Sequence, residues 1–171
     1  MGNPNVTSTA APRLLARDLF SDPSANMRGA SGDVRSVWNA FASQFRWVAG
    51  VAGNHDTFGT SRERERFLQQ PGLYLMDGEV HEVDGLRLGG VSGIIGRTDK
   101  PGRRAEADQL KRIQGVLRQE PEVLVLHEGP DFPPGDLRDN SAIREAVEAR
   151  EELLVVCVLN VDARAVLLVK A

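Results

Sequence analysis

A chain of 171 residues, 41% of them apolar, can bury one core, and its length argues against two full domains. Its 21 lysines and arginines against 24 aspartates and glutamates leave a net charge of −3, with the basic residues spread along the chain, which disfavours nucleic acid as an electrostatic partner. The single cysteine, Cys157, forbids an internal disulfide, no apolar run reaches membrane-spanning length, and the first residues lack the basic and apolar blocks of a signal peptide. The expectation is a cytoplasmic protein with no membrane segment.

Residues Met1 to Pro12 are small and polar with nothing to bury, and read as a disordered lead-in to one domain spanning 13–171. Arg13-Leu14-Leu15-Ala16 is a short strand running into Arg17-Asp18, and Ser21 to Gly32 is a loop by its Ser, Pro, Asn and Gly. Asp33 then caps a helix in which Val34, Val37, Trp38, Phe41 and Phe45 recur at helical spacing, a core-packing pattern. Trp47 to Ala52 alternates small and branched apolar residues, suited to a strand covered on both faces, and ends without a spacer in Gly53-Asn54-His55-Asp56.

A charged helix follows from Ser61 to Gln70, stopped by Pro71-Gly72. Asp84-Gly85 between Glu79–Val83 and Leu86–Val91 signals a hairpin, within which His81 is an ordinary strand residue. The glycines from Gly89 to Gly96 do not form a dinucleotide fingerprint and read as a strand and bend near another backbone. Lys100 to Arg104 is a basic Pro-Gly loop, more solvated than phosphate-binding by its composition. Ala105 to Arg118 is a helix, Val123 to Leu126 a buried strand, and His127-Glu128-Gly129-Pro130 places a second imidazole at a second strand tip. A loop from Asp131 to Asn140, a helix capped by Ser141, a strand from Leu153 to Val156 and an interrupted strand pattern from Val158 to Val169 complete the chain.

This order argues for a mixed, layered α/β fold with polar groups gathered at the carboxyl ends of buried strands. Carboxylate, amide oxygen and imidazole together suit a divalent first-row metal such as manganese, iron or zinc.

Gly53-Asn54-His55-Asp56 behind a hydrophobic strand closely resembles the signature of the calcineurin-like metallophosphoesterases, in which the Asn ligates a metal and the His faces the substrate phosphate. The family's blocks run Asp-x-His, Gly-Asp, Gly-Asn-His-Asp or -Glu, a strand-ending His, and Gly-His-x-His. The third block matches outright, and Val123 to Pro130 matches the fourth at His127. Arg17-Asp18 matches the second block in its Asp; Gly32-Asp33 keeps the whole dipeptide, but Asp18 follows an apolar run as a strand-tip ligand should. Neither Asp-x-His nor Gly-His-x-His occurs, which suggests an amino-terminal truncation and a loss near Cys157 and Val158.

The resemblance implies an incomplete α-β-β-α sandwich of two sheets flanked by helices. It implies a phosphatase or phosphodiesterase with Asp18, Asn54 and His127 on one metal ion rather than two, and His55 as the catalytic acid. The missing blocks imply weak or absent activity, the alternative being a non-catalytic remnant that binds a metal or a phosphate-bearing ligand. An unpaired sheet edge left by a lost strand would favour self-association.

Overall fold

A computed structural model describes residues 11–16, 18–20, 30–131, 140–148, 150, 153–158 and 166–170. The expected lead-in up to residue 10, the loop over 132–139 and the interruption at 159–165 lie outside the described residues. Among those described, the fold is mixed α/β, with four helices and several small sheets.

Three parallel strands, β1 (Arg13–Leu15), β3 (Val48–Gly50) and β5 (Leu73–Leu75), form one sheet in the order β1-β3-β5. Parallel neighbours need crossovers. Helix α1 (Arg35–Ala42) lies between β1 and β3 in the chain, and α2 (Ser61–Leu68) between β3 and β5. Helix α2 starts in a capping box: Thr60 Oγ1 accepts from Glu63 N, and Glu63 accepts from Thr60 N. The Thr60 amide and hydroxyl, with Arg35, hold the Glu63 carboxyl down at about 2.

The second sheet contains β6 (Val80–Val83), β7 (Leu86–Val91), β10 (Val123–Leu126), β11 (Leu154–Val158) and β12 (Val166–Lys170). Its order is β12-β11-β10-β7-β6, parallel across β7, β10 and β11 and antiparallel at both edges. The expected β6–β7 hairpin is present, turning on Asp84 and Gly85, both at positive φ as a primed two-residue turn requires. Helices α3 (Glu106–Leu117) and α4 (Ser141–Glu148) supply the crossovers between β7, β10 and β11. Two-residue pairings join β2 (Gly32–Asp33) to β4 (Asp56–Thr57), and β8 (Ile94–Ile95) to β9 (Arg103–Arg104).

Strand side chains alternate between faces, and the alternation divides the apolar residues into three cores. Leu15, Val48, Leu73 and Leu75 turn toward Trp38 of α1 and Phe67 of α2. The opposite faces supply Ala49 and Tyr74, which pack with Leu88, Val123, Val125 and Val156 of the second sheet. Leu124, Leu126, Val155 and Cys157 face Ile113 and Val116 of α3 and Ile143 and Val147 of α4. Of the helical aromatics expected as core, Trp38 is buried and meets Phe58 and Phe67 edge-on at 6.1 and 5.9 Å, while Phe41 and Phe45, the latter beyond the end of α1, are half-buried against that core beneath the Arg13 guanidinium. His81 is the expected strand residue, paired with Leu88, its ring tilted against Tyr74 with centroids 5.5 Å apart. No described helix is long and apolar enough to cross a membrane.

Two helix starts differ from expectation by one residue. The α4 cap is Asn140, whose Oδ1 accepts from Ala142 N and Ile143 N, while Ser141 is already helical. At α1 the backbone leaves the helix at Val34, and Asp33 reaches over it to accept from Arg35 N at 3.0 Å. An Asn or Asp side chain can reach past its neighbour in this way, so a cap read from residue type is uncertain by one position.

Candidate functional site

Strands β1, β3 and β10 each end in a polar group, and the three ends meet. In β1 and β3 the register Leu15↔Gly50 sets the carboxyl ends side by side, so Asp18 and the Gly53–Asp56 turn emerge together. Gly53 is required by this meeting, because a Cβ there would lie 1.9 Å from Asp18 Oδ1. Asp18 Oδ1 instead accepts from His55 N at 2.9 Å, which ties the two strand ends across the chain.

His127 arrives from the other sheet. Its Nδ1 lies 3.1 Å from Ala16 O, and since a carbonyl only accepts, Nδ1 carries the proton. That fixes the tautomer of the neutral ring and leaves the lone pair on Nε2. Nε2 faces Asn54 Oδ1 at 3.3 Å and Asp18 Oδ2 at 3.6 Å. All three residues expected as metal ligands therefore converge on one point. Asn54 is 9% exposed, covered on its backbone side by Gly102, whose positive φ and close approach to Asn54 Cα leave no room for a side chain.

Among the described residues no three His, Cys, Asp or Glu side chains come together; this cluster reaches three donors through the Asn54 amide oxygen. Asp33, the other candidate carboxylate, is at the surface, where Arg35 Nη2 holds it at 2.6 Å. The Arg35 guanidinium keeps the Asp33 carboxyl below its ordinary range.

His55 turns its ring toward residue 30, donating from Nδ1 to Ala30 O at 2.9 Å, so Nε2 is the nitrogen left for another partner. Asp56 accepts from Leu19 N and Phe20 N through Oδ1, both at 2.9 Å, and from Gly53 N through Oδ2 at 3.0 Å. It clamps the segment after β1 onto the turn after β3. Burial pushes its carboxyl above the ordinary 3.8 and outweighs the three amide donors, with the negative charge of Asp18 adding to the rise. The sequence marked Asp56 only as the last letter of a motif. Its clamping role rests on amides of residues 36 and 37 positions away in the chain, which no local pattern reveals.

Of the basic loop considered as a phosphate contact, Arg104 is committed elsewhere, to Asp77 at 2.5 Å, Ser92 O at 2.6 Å and Gln109 Oε1 at 2.9 Å. A cleft of about 210 Å³ beside the Gly53–Asp56 turn includes Ser92, Gly93, Gly102 and Arg104 in its walls. No protein-family model matches the chain, and no curated protein matches it.

Proposed function

We propose that the chain is a metal-dependent phosphoesterase of the calcineurin-like kind, acting on a phosphomonoester or phosphodiester and holding one divalent manganese, iron or zinc ion on Asp18, Asn54 and His127. The observation that carries this reading is the convergence of an imidazole nitrogen, an amide and a carboxylate at three strand ends. With Nδ1 of His127 turned to Ala16 O, its Nε2 stands 3.3 Å from Asn54 Oδ1 and 3.6 Å from Asp18 Oδ2. A positive ion at the centre of this half-buried cluster would satisfy all three groups at once. Donors about 2.0–2.2 Å from a common ion stand roughly 3–3.5 Å from each other, so the spacing and the donor chemistry both fit a divalent cation. The Nδ1–H bond to a backbone carbonyl is the outer contact that metal-ligating histidines use to fix ring and tautomer.

An ion held there would polarise a phosphoryl oxygen and lower the pKa of a bound water. His127 and Asn54 orient the donor set from opposite sheets. His55 keeps its ring in place through Ala30 O, which leaves Nε2 as the nitrogen that would serve the leaving oxygen. The three cores, helix to sheet, sheet to sheet and sheet to helix, support the α-β-β-α layering that goes with this family.

A second reading, a non-catalytic module binding a metal or a phosphate group, is favoured by the donor count. His81 is engaged with Tyr74, which leaves two histidines for a site that the family builds from five. Hydrolysis of a chromogenic phosphodiester with added manganese separates the two. The phosphoesterase reading expects slow turnover that disappears with chelator and in His127→Ala, and that falls about 10²–10⁴-fold in His55→Ala. Metal binding without turnover would establish the second reading, and turnover indifferent to chelator and to both variants would refute the first.

A further inference from the structure

We propose a second anion site, on the surface of α3 and distinct in its lining residues from the Asp18–Asn54–His127 cluster, that takes a small ligand carrying two or more phosphate groups. It stands independently of the phosphoesterase reading. A cleft of about 580 Å³ lies between the β8–β9 loop and α3, and five of its seven lining residues are cations: Arg103, Arg104, Lys111, Arg112 and Arg118. Asp108 is its single carboxylate, and Thr98 adds a hydroxyl. This concentration of positive charge occurs in a chain whose net charge is −3.

Two of the five cations are spoken for. Arg104 pairs with Asp77 at 2.5 Å, and Arg112 Nη1 donates to Asp77 O at 2.5 Å and lies 3.7 Å from its carboxylate. Arg103, Lys111 and Arg118 have no carboxylate partner among the described residues. Arg103 Nε is moreover cut off from solvent with no hydrogen-bond partner. Phosphate oxygens match the guanidinium fork that Arg103 and Arg118 present.

The spacing selects the ligand. Lys111 and Arg118 are seven residues apart, close to two helical turns and about 10 Å along the axis, on one stripe of the helix surface. Arg103, on the neighbouring strand β9, is the third point. Linked phosphates match a row of cations of this length better than one tetrahedral oxyanion does, and the cleft volume lies within the range of roughly 300–1,000 Å³ usual for small-molecule sites.

The test is calorimetric titration of the metal-stripped full chain with inorganic pyrophosphate, beside orthophosphate and a short single-stranded oligonucleotide. The variants are Lys111→Ala/Arg118→Ala, Arg103→Gln, Asn54→Ala and, as a cation on another helix, Arg62→Ala. Lys111 and Arg118 are exposed, and an unchanged melting temperature of the double variant checks that it folds. The proposal expects one pyrophosphate per chain and orthophosphate binding at least about tenfold weaker. It expects a loss of about tenfold or more in the double variant and in Arg103→Gln, the scale of a lost charge-assisted hydrogen bond, with Asn54→Ala and Arg62→Ala unchanged. Absence of saturable pyrophosphate binding, equal loss in Arg62→Ala, or loss confined to Asn54→Ala would overturn it. So would tighter binding of the oligonucleotide that the cleft variants abolish, which would make the cleft a nucleic-acid surface.

Discussion

At the scale of single residues, the Asp56 carboxylate does for the strand ends what no apolar contact could: it satisfies three backbone amides that turn away from any strand ladder. Its pKa, raised by burial, has a sign that can be measured. A group whose folded pKa lies above the unfolded 3.8 contributes its full stability below 3.8 and loses it as pH rises through the folded value, because the folded state holds the proton longer. Asp56→Asn cannot ionise and keeps one acceptor for Leu19 and Phe20. In chelator, the melting temperature of Asp56→Asn relative to the unmutated chain is therefore expected to move in the variant's favour between about pH 3 and pH 6, the carboxylate titration range. A constant difference, or one moving the other way, would contradict this account of Asp56. That Asp18, Asn54 and His127 come together could be expected from the sequence because each stands at or just past the end of an apolar run. The role of Gly102 could not. It depends on a loop folding back over Asn54, a contact 48 positions away in the chain that leaves no periodicity behind.

At the scale of elements, segments marked by an apolar run or stripe were legible, down to the three residues of β1 and β3, and those defined only by pairing were not. Helix α3 and strand β10 fall close to the expected ranges because each buries a regular stripe or run. Strand β5, behind Pro71-Gly72, escaped notice, and its identity comes from pairing with β3. The pairs β2–β4 and β8–β9 are two residues long and exist only through tertiary placement. The α4 start gives an element-scale prediction. Asn140→Ala leaves the Ala142 and Ile143 amides without their acceptor and is expected to cost about 0.5–2 kcal/mol in urea unfolding, with Ser141→Ala close to neutral. The reverse ranking would return the cap to Ser141.

At the scale of the whole molecule, the first sheet has three strands, and among the described residues β1 and β5 each pair on one side only. Open edges of this kind template pairing with another chain. The expected result is a light-scattering mass that rises above the monomer with concentration; a monodisperse monomer at high concentration would count against it. The same two-sheet arrangement gives the candidate metal cluster its leverage, since Asp18 and Asn54 come from the β1–β3 side and His127 from β10. An ion held there would link the sheets, and at about a hundred times its Kd it would stabilise the fold by roughly 2.7 kcal/mol. The measurement that tests this most directly is calorimetric titration of the chain with manganese or zinc beside Asn54→Ala and His127→Ala. The account predicts one ion per chain, lost in both variants. Absence of specific binding, or binding that both variants retain, would contradict it and leave a turned-over Asn54 amide donating to His127 Nε2 as the way the cluster satisfies itself.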